Sequence, residues 1–135
     1  MTSGRPDVIV VDAANVVGSR PDGWWRDRPG AARRLLVKLA ALQARLQDTT
    51  DIIVILEGAA RAAVKGPEAP DTGTLRVVLA DASGDDTIVA ITTEATTHHN
   101  PTVTVVTADR GLRQRIEPLG ATAVGPRWLL DQLDQ

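Results

Sequence analysis

The stretch VIVVDAANVVGS, residues 8–19, decides the fold that the sequence predicts. Four apolar residues run without interruption and meet Asp12, with Asn15 three positions later. A continuous apolar run predicts a strand that is covered on both faces, as in a parallel sheet. A carboxylate at the end of such a strand has two interpretations. It closes an Asx-turn together with Asn15, or it is placed there to hold a ligand.

Further apolar runs predict the rest of a sheet. They are IIVIL (52–56), VVLA (77–80), VTVV (103–106) and, more weakly, ATAV (121–124). Helical patterns lie between and after them, at 29–47, 85–98, 109–120 and 126–135. Strands alternating with helices indicate right-handed crossovers. We therefore expect one three-layer α/β/α domain over residues 1–135, with a parallel sheet of about five strands. Residues 1–6 are expected to be flexible, and residues 58–74 to form a loop-rich connection.

Composition excludes several classes of function. The chain of 135 residues has no cysteine, so disulfides, thiolate metal sites and thiol catalysis are ruled out. Its net charge of -2 argues against a broad positive face for nucleic acid, though not against a local basic rim. The first residues show no signal-peptide pattern, and no apolar run is long enough to span a bilayer. A cytoplasmic location without a membrane partner is the expectation.

Almost every predicted strand delivers a carboxylate to the same edge of the sheet. These acids are Asp12, Glu57, the pair Asp85 and Asp86, and Asp109. Each has a purely structural interpretation, since acids also cap helices and favour the positive ends of helix dipoles. Converging carboxylates repel one another unless a cation offsets their charge. An oxygen-only cluster without Cys or His suits Mg²⁺ or Mn²⁺, which can orient a phosphate and activate water.

Three segments together resemble the PIN-like nuclease superfamily, most closely its NYN (YacP-like) branch. They are VVDAANVVGS, SGDDTIVAI and VVTADRGLRQRI, and the resemblance covers roughly residues 8–125. It implies a parallel sheet ordered 3-2-1-4-5 and a Mg²⁺- or Mn²⁺-dependent ribonuclease acting on RNA. The positions that match the family's metal-binding acids are Asp12, Asp86 and Asp109, and Asn15 matches the asparagine that orients the site. Asp85 is the other half of the acidic pair, and Glu57 lies where many members carry an acid. The chain departs from many relatives at Ala13, where they have Gly.

A candidate substrate-binding segment follows the first acidic edge. It reads GSRPDGWWRDR (18–28) and combines Trp24 and Trp25 with Arg20, Arg26 and Arg28. An exposed Trp beside Arg can stack a base and grip a phosphate. The alternative is that one Trp packs this loop onto the following helix, and both uses are compatible if one Trp points inward and one outward. Arg110, next to Asp109, is a further candidate phosphate contact.

Two other functions stay open at this point. The same acids could serve a nucleotide pyrophosphohydrolase or phosphatase, although the E-x-x-E spacing of several such families is absent. The chain could instead be a non-catalytic module that binds RNA or protein. A homodimer is compatible with the sequence but is not indicated by any apolar surface stripe.

Overall fold

The computed structural model describes residues 6–20, 22–98 and 102–134 of the chain. It contains one five-stranded sheet with the strand order 3-2-1-4-5. The strands are β1 (Asp7–Asp12), β2 (Thr50–Leu56), β3 (Arg76–Leu79), β4 (Val103–Val106) and β5 (Thr122–Val124). All four neighbouring pairs are parallel. The α/β fold and the strand order predicted above are therefore confirmed.

In the described part of the chain, five α-helices accompany the sheet: α1 (Ala13–Gly18), α2 (Arg28–Leu46), α3 (Gly84–Thr97), α4 (Arg110–Ile116) and α5 (Pro126–Leu133). Short 3₁₀ segments occur at Trp24–Arg26, Gly58–Val64 and Glu117–Leu119. The four predicted helices are present, with the third ending earlier and continuing as a 3₁₀ turn. The connection expected at 58–74 begins with the Gly58–Val64 segment. The N-terminus expected to be flexible lies, apart from Pro6, outside the described residues.

Helix α1 was not predicted, because the sequence suggested a turn or loop after Asp12. Its six residues include two consecutive valines, which are weak helix formers, and they are too few to show a helical period. The helix is stabilised instead by a side-chain cap from Asp12 and by burial of Ala13 and Val16. After β1, capping and burial therefore outweigh the low helix propensity of the valines.

The hydrophobic core lies on both faces of the sheet. One cluster joins β1 and β2 to α1, α2 and α5 through residues such as Val11, Leu36 and Leu129. The other joins the opposite face to α3 and α4 through residues such as Ile88 and Leu112. Coverage on both faces explains the unbroken apolar runs, because alternate residues of each strand face different helices. Within the described residues, no helix is long and apolar enough to cross a membrane.

The parallel register places the ends of the central strands side by side. Asp12 of β1 pairs with Ile55 of β2, and Val11 pairs with Val106 of β4. In the strand order 3-2-1-4-5, the direction in which successive strands are added reverses between β1 and β4. Open α/β sheets have a crevice at such a point, outside the carboxyl ends of the strands. The residues that follow β1, β2 and β4 therefore form the rim of one crevice.

Candidate active site

Asp12 stands at the centre of this rim. It is the last residue of β1 and the N-cap of α1, and only 4% of its surface is exposed. Its Oδ2 accepts a hydrogen bond from Asn15 Nδ2 at 2.6 Å, and its Oδ1 accepts one from the Asn15 backbone N–H at 3.4 Å. The sequence left two interpretations of Asp12, a local turn with Asn15 or a ligand-binding residue. The two are compatible, because a carboxylate that caps α1 can also bind a ligand.

Thr107, at the end of β4, is the second support of Asp12. Its buried hydroxyl donates to Asp12 Oδ2 at 2.9 Å and accepts a hydrogen bond from the Asp109 N–H at 3.1 Å. Asn15 makes a parallel connection, because its Oδ1 accepts from the Ala108 N–H at 3.2 Å. These bonds join the ends of β1 and β4, so the Asp12 carboxylate is fixed relative to the loop that carries Asp109.

Burial raises the pKa of Asp12 above its ordinary value, because desolvation disfavours the charged carboxylate. The hydrogen bonds from Thr107 and Asn15 act in the opposite direction, and the negative charge of Asp85 raises the pKa further. Desolvation is the largest of these effects. Ionisation of the Asp12 carboxylate is therefore unfavourable in this environment. A nearby cation would stabilise the ionised form.

Asp85 belongs to the same electrostatic cluster. It lies in the first turn of α3, and its pKa is raised by burial first and then by the charges of Asp109 and Glu57. Arg115 lowers it, which offsets these effects only in part. Since Asp85 also raises the pKa of Asp12, Asp85 at the start of α3 interacts with the acids at the ends of β1, β2 and β4.

The structure distinguishes the two halves of the acidic pair. Asp86 has a side chain that is 73% exposed, and its Oδ1 accepts a hydrogen bond from Arg115 on α4 at 2.9 Å. It was matched to a family metal ligand on sequence, yet its carboxylate is engaged at the surface in an ion pair. Consecutive positions on a helix point about 100° apart, so only one of the pair can face the crevice. Asp85 is the one that interacts with Asp12, Asp109 and Glu57.

Glu57 follows β2 and reaches the start of α3. Its Oε2 accepts a hydrogen bond from the Gly84 N–H at 3.1 Å. The carboxylate lies so close to the helix that a Cβ at position 84 would be 2.9 Å from Glu57 Oε1. Glycine at this position therefore permits the approach of Glu57, a role that the sequence analysis did not assign to Gly84.

Asp109 caps α4, as the sequence predicted. Its Oδ1 accepts a hydrogen bond from the Leu112 N–H at 3.2 Å. Its backbone N–H is bonded to Thr107, so the same short loop orients Asp12 and Asp109. The cap occupies one oxygen of the carboxylate, whereas its negative charge still acts on Asp85.

The donor chemistry of the rim fits a hard divalent cation, because Asp12, Glu57, Asp85 and Asp109 supply only carboxylate oxygens. Their geometry is more open than a finished metal cage. Among residues 6–20, 22–98 and 102–134, no three acidic or histidine side chains are close enough together to hold one ion. The rim is thus an acidic cluster coupled by charge, in which ligand side chains would have to converge to coordinate an ion.

The predicted aromatic and basic residues divide into two groups. Trp24 is half-buried and lies against Gly18, while Trp25 is 53% exposed, so one ring points inward and one outward. The Arg28 guanidinium lies 5.5 Å from the Trp24 ring centre, and that of Arg26 lies 5.8 Å from Trp25. Trp24 and Arg28 line a pocket that also includes Glu57, which places them beside the acidic rim.

Arg20 and Arg110 are placed differently. Arg20 donates to Asp134 at 3.2 Å, beyond the end of α5, and lines a separate groove with Lys38 and Leu130. It is therefore not brought to the acidic rim. Arg110 is the first residue of α4, directly after Asp109, and its side chain is exposed.

Arg61 is a basic residue near the rim that the sequence analysis missed. It lies in the Gly58–Val64 segment and donates to the carbonyl oxygens of Gly58 at 3.1 Å and Ala80 at 3.4 Å. It thereby links the turn after β2 to the residue after β3. The sequence Thr107-Ala108-Asp109 after β4 was the pattern that could have indicated a role for Thr107. No sequence pattern indicated a role for Arg61 or Gly84.

Comparisons with known proteins show similarity at the level of structure. No model of a known protein family matches the sequence, and no curated protein matches it. Two crystal structures of Rae1 (YacP) from Bacillus subtilis are similar to the chain, one with a TM-score of 0.72 at 24% identity and one of a point mutant with 0.74 at 20%. The alignments cover 95% of this chain and 74% and 75% of those chains, respectively. This likeness shows that the chain has the fold of Rae1 (YacP), as the resemblance implied.

Proposed function

We propose that this protein is a metal-dependent ribonuclease that hydrolyses phosphodiester bonds of RNA at the acidic rim, with Mg²⁺ or Mn²⁺ as cofactor. The observation that carries the proposal is that Asp12, Asp109 and Glu57 each interact with Asp85 at the carboxyl edge of a sheet with the YacP-type fold. The nuclease superfamily that the sequence resembles supplies the reaction type. The buried, costly charge of Asp12 supports a cation as the natural counter-charge.

Asp12, Asp85 and Asp109 are the residues that would hold the ion, with Glu57 assisting from the end of β2. When bound, a divalent ion supplies positive charge to the site and polarises a phosphate for attack by water. Asn15 and Thr107 act as positioning residues, because their hydrogen bonds fix the Asp12 carboxylate. This assignment uses Asp85 in place of Asp86, whose carboxylate pairs with Arg115.

Basic groups near the rim complement the acids. Arg28 and Arg110 are exposed and close in sequence or space to the acidic residues, so they are the proposed contacts for the RNA backbone. Arg26, which lies over the exposed Trp25, extends this basic surface. A local basic rim around an acidic centre is compatible with the chain's small negative net charge.

The test is cleavage of an end-labelled single-stranded RNA with Mn²⁺, by wild type and by Asp12→Asn. Asp51→Asn is the matched control, because Asp51 is an exposed acid at the opposite edge of the sheet. We expect cleavage by wild type and the control, none with EDTA, and a loss of at least about 100-fold in Asp12→Asn. Equal rates for Asp12→Asn and wild type would refute the assignment. Hydrolysis of nucleoside triphosphates without RNA cleavage would instead indicate a pyrophosphohydrolase.

Calorimetry gives a readout of the metal site that does not depend on activity. Titration with Mn²⁺ should show binding to wild type and Asp51→Asn and much weaker binding to Asp12→Asn. A wild-type protein that neither binds Mn²⁺ nor cleaves RNA would contradict the proposal and favour a non-catalytic binding module.

A further inference from the structure

A pocket of about 250 Å³ adjoins the acidic rim. It lies between α1, the Trp24–Arg26 turn, the start of α2 and the Gly58–Val64 segment. Ala13, which follows Asp12 directly, and Glu57 belong to its wall, so the pocket opens beside the residues proposed to hold the ion. Its position makes it accessible to a substrate whose phosphate lies at the rim.

The lining is mostly apolar, with a small number of polar groups. Ala13, Ala14 and Val17 of α1 form one wall, and the Trp24 ring forms another. The ring is held against Gly18, where a Cβ would lie 3.6 Å from it, and Trp25 packs edge-on against it at 6.1 Å. Because these contacts fix Trp24, the flat wall exists before any ligand binds. The polar groups are the carboxylate of Glu57 and the guanidinium of Arg28.

We propose that this pocket receives one unpaired nucleobase of a single-stranded RNA whose backbone passes the acidic rim; the inference rests on the function proposed above. A nucleobase has apolar faces and a polar edge, which matches small aliphatic and aromatic walls with a carboxylate at one side. Glu57 can accept a hydrogen bond from a ring N–H or an exocyclic amino group. Arg28, 5.5 Å from the Trp24 ring centre, is placed to contact the phosphate of the same nucleotide.

The occupant must be unpaired. A base in a duplex has its polar edge engaged with its partner and both faces stacked, so it cannot enter a pocket that contacts its faces and its edge together. The pocket therefore selects single strands, loops and ends over double-stranded RNA. Specificity of this kind needs no extended basic surface, which agrees with the composition of the chain.

A second, more open depression also borders Trp24. It is lined by Asn15, Ser19 and Ala108 and shares Ala14 and Trp24 with the pocket. The backbone joining two nucleotides, one in each depression, would pass Ala14 and Asn15 and hence Asp12. Ala14 is exposed on α1 and borders both depressions, which makes it the position at which to block them without disturbing the core.

The experiment measures binding in EDTA, so that no cleavage is required. A Trp25→Phe, Trp128→Phe background leaves Trp24 as the only tryptophan, and its fluorescence reports the pocket directly. The probe is a mixed-sequence RNA of about ten nucleotides, single-stranded or annealed to its complement, a length within reported site sizes for single-strand binders. Ala14→Leu fills the pocket, and Ala41→Leu is the matched control at an exposed alanine of α2.

We expect the single strand to bind at least about tenfold more tightly than the duplex and to change Trp24 fluorescence, with Ala14→Leu weakening that binding about tenfold or more. Ala41→Leu should bind as the background protein does. Equal binding by Ala14→Leu, or equal affinity for duplex and single strand, overturns the inference. Circular dichroism of both leucine variants verifies that they fold.

The two proposals fail separately. If Asp12-dependent cleavage occurs but Ala14→Leu binds normally, the ribonuclease assignment stands and the base pocket is refuted. If no RNA is cleaved while Ala14-dependent binding of single strands persists, the pocket stands and the catalytic assignment falls. Binding of a peptide, but not of RNA, through the same pocket would refute the inference in favour of a protein ligand.

Discussion

The hydroxyl of Thr107 donates to Oδ2 of Asp12 across 2.9 Å, joining the ends of two neighbouring strands that are 95 residues apart in sequence. The same hydroxyl accepts the N–H of Asp109. One side chain thus orients one proposed metal ligand directly and a second through the backbone. Since Thr107 is fully buried, no water can replace the hydrogen bond that it provides.

Thr107→Val tests this relationship. Valine has the shape of threonine, but it removes one of the two hydrogen bonds to Asp12 Oδ2 and leaves the Asp109 N–H without its partner. We expect a loss of about 1–3 kcal/mol in the free energy of unfolding, measured by urea denaturation, and a pKa of Asp12 raised further. Thr107→Ser, which keeps the hydroxyl, is the control and should retain most of the stability. Equal stability of the serine and valine variants would show that the hydroxyl contributes nothing.

The raised pKa of Asp12 predicts a pH dependence of stability. Because the folded-state pKa lies above the ordinary value of 3.8, the folded protein binds more protons there than the unfolded chain. This group's contribution to stability is therefore greatest below pH 3.8 and is lost as the pH rises through the folded-state pKa. Asp12→Asn cannot ionise at this position, so its stability should rise relative to wild type as the pH increases from 3.8 through the folded-state pKa of Asp12.

Urea denaturation of both proteins in EDTA at stepwise pH measures this difference. The chelator ensures that a bound cation does not stabilise the wild type at neutral pH. A wild type that becomes more stable relative to Asp12→Asn as the pH rises would contradict the prediction. A flat difference would mean that the hydrogen bonds from Thr107 and Asn15 balance the cost of burial.

Asp85→Asn and Asp86→Asn should differ although the two residues are adjacent. Asp85 interacts with the other acids of the rim, so its replacement is expected to lower Mn²⁺-dependent RNA cleavage by at least about 100-fold. Asp86 makes an exposed ion pair with Arg115, so Asp86→Asn should keep most of the activity and change stability by no more than about 1 kcal/mol. Cleavage rates of the two variants decide the assignment. If Asp86→Asn lost more cleavage activity than Asp85→Asn, Asp86 would be the metal-binding residue of the pair.

Gly84→Ala tests the approach of Glu57 to α3. The new Cβ would lie 2.9 Å from Glu57 Oε1, and the carboxylate must move away. Because the atoms that move are the end of a flexible side chain, we expect a stability change within about 1 kcal/mol, measured by thermal denaturation. RNA cleavage should nevertheless fall about tenfold, as Glu57 leaves the rim.

Gly125→Ala provides the control for this substitution. Gly125 caps α5, and a Cβ there meets no atom within 4 Å. This variant should match wild type in cleavage. Unchanged cleavage by Gly84→Ala would indicate that the position of Glu57 is not used in the reaction.

Several features of this protein follow from the sequence alone. Each of the five strands was visible as an apolar run, and the runs of the three central strands β1, β2 and β4 reflect burial on both faces, which demands apolar residues at successive positions. The longest helix, α2, was visible through its leucine spacing and the proline at its start. That Asp12, Glu57 and Asp109 stand at one edge also followed, since parallel strands all end on the same side.

Tertiary structure decided what happens within that edge. Helix α1 forms because Asp12 caps it and because Ala13 and Val16 are buried in the core. A helix of six residues is too short for its hydrophobic periodicity to be recognised in the sequence. That Asp85 interacts with the other rim acids while Asp86 pairs with Arg115 of α4 depends on how α3 is rotated against the sheet. Arg20 follows α1 closely in sequence but pairs with Asp134, 114 positions away. The local hydrophobic pattern of the sequence shows where each strand ends, and so it determines which side chains reach the rim of the sheet. Which of them face one another depends on packing between elements far apart in the chain.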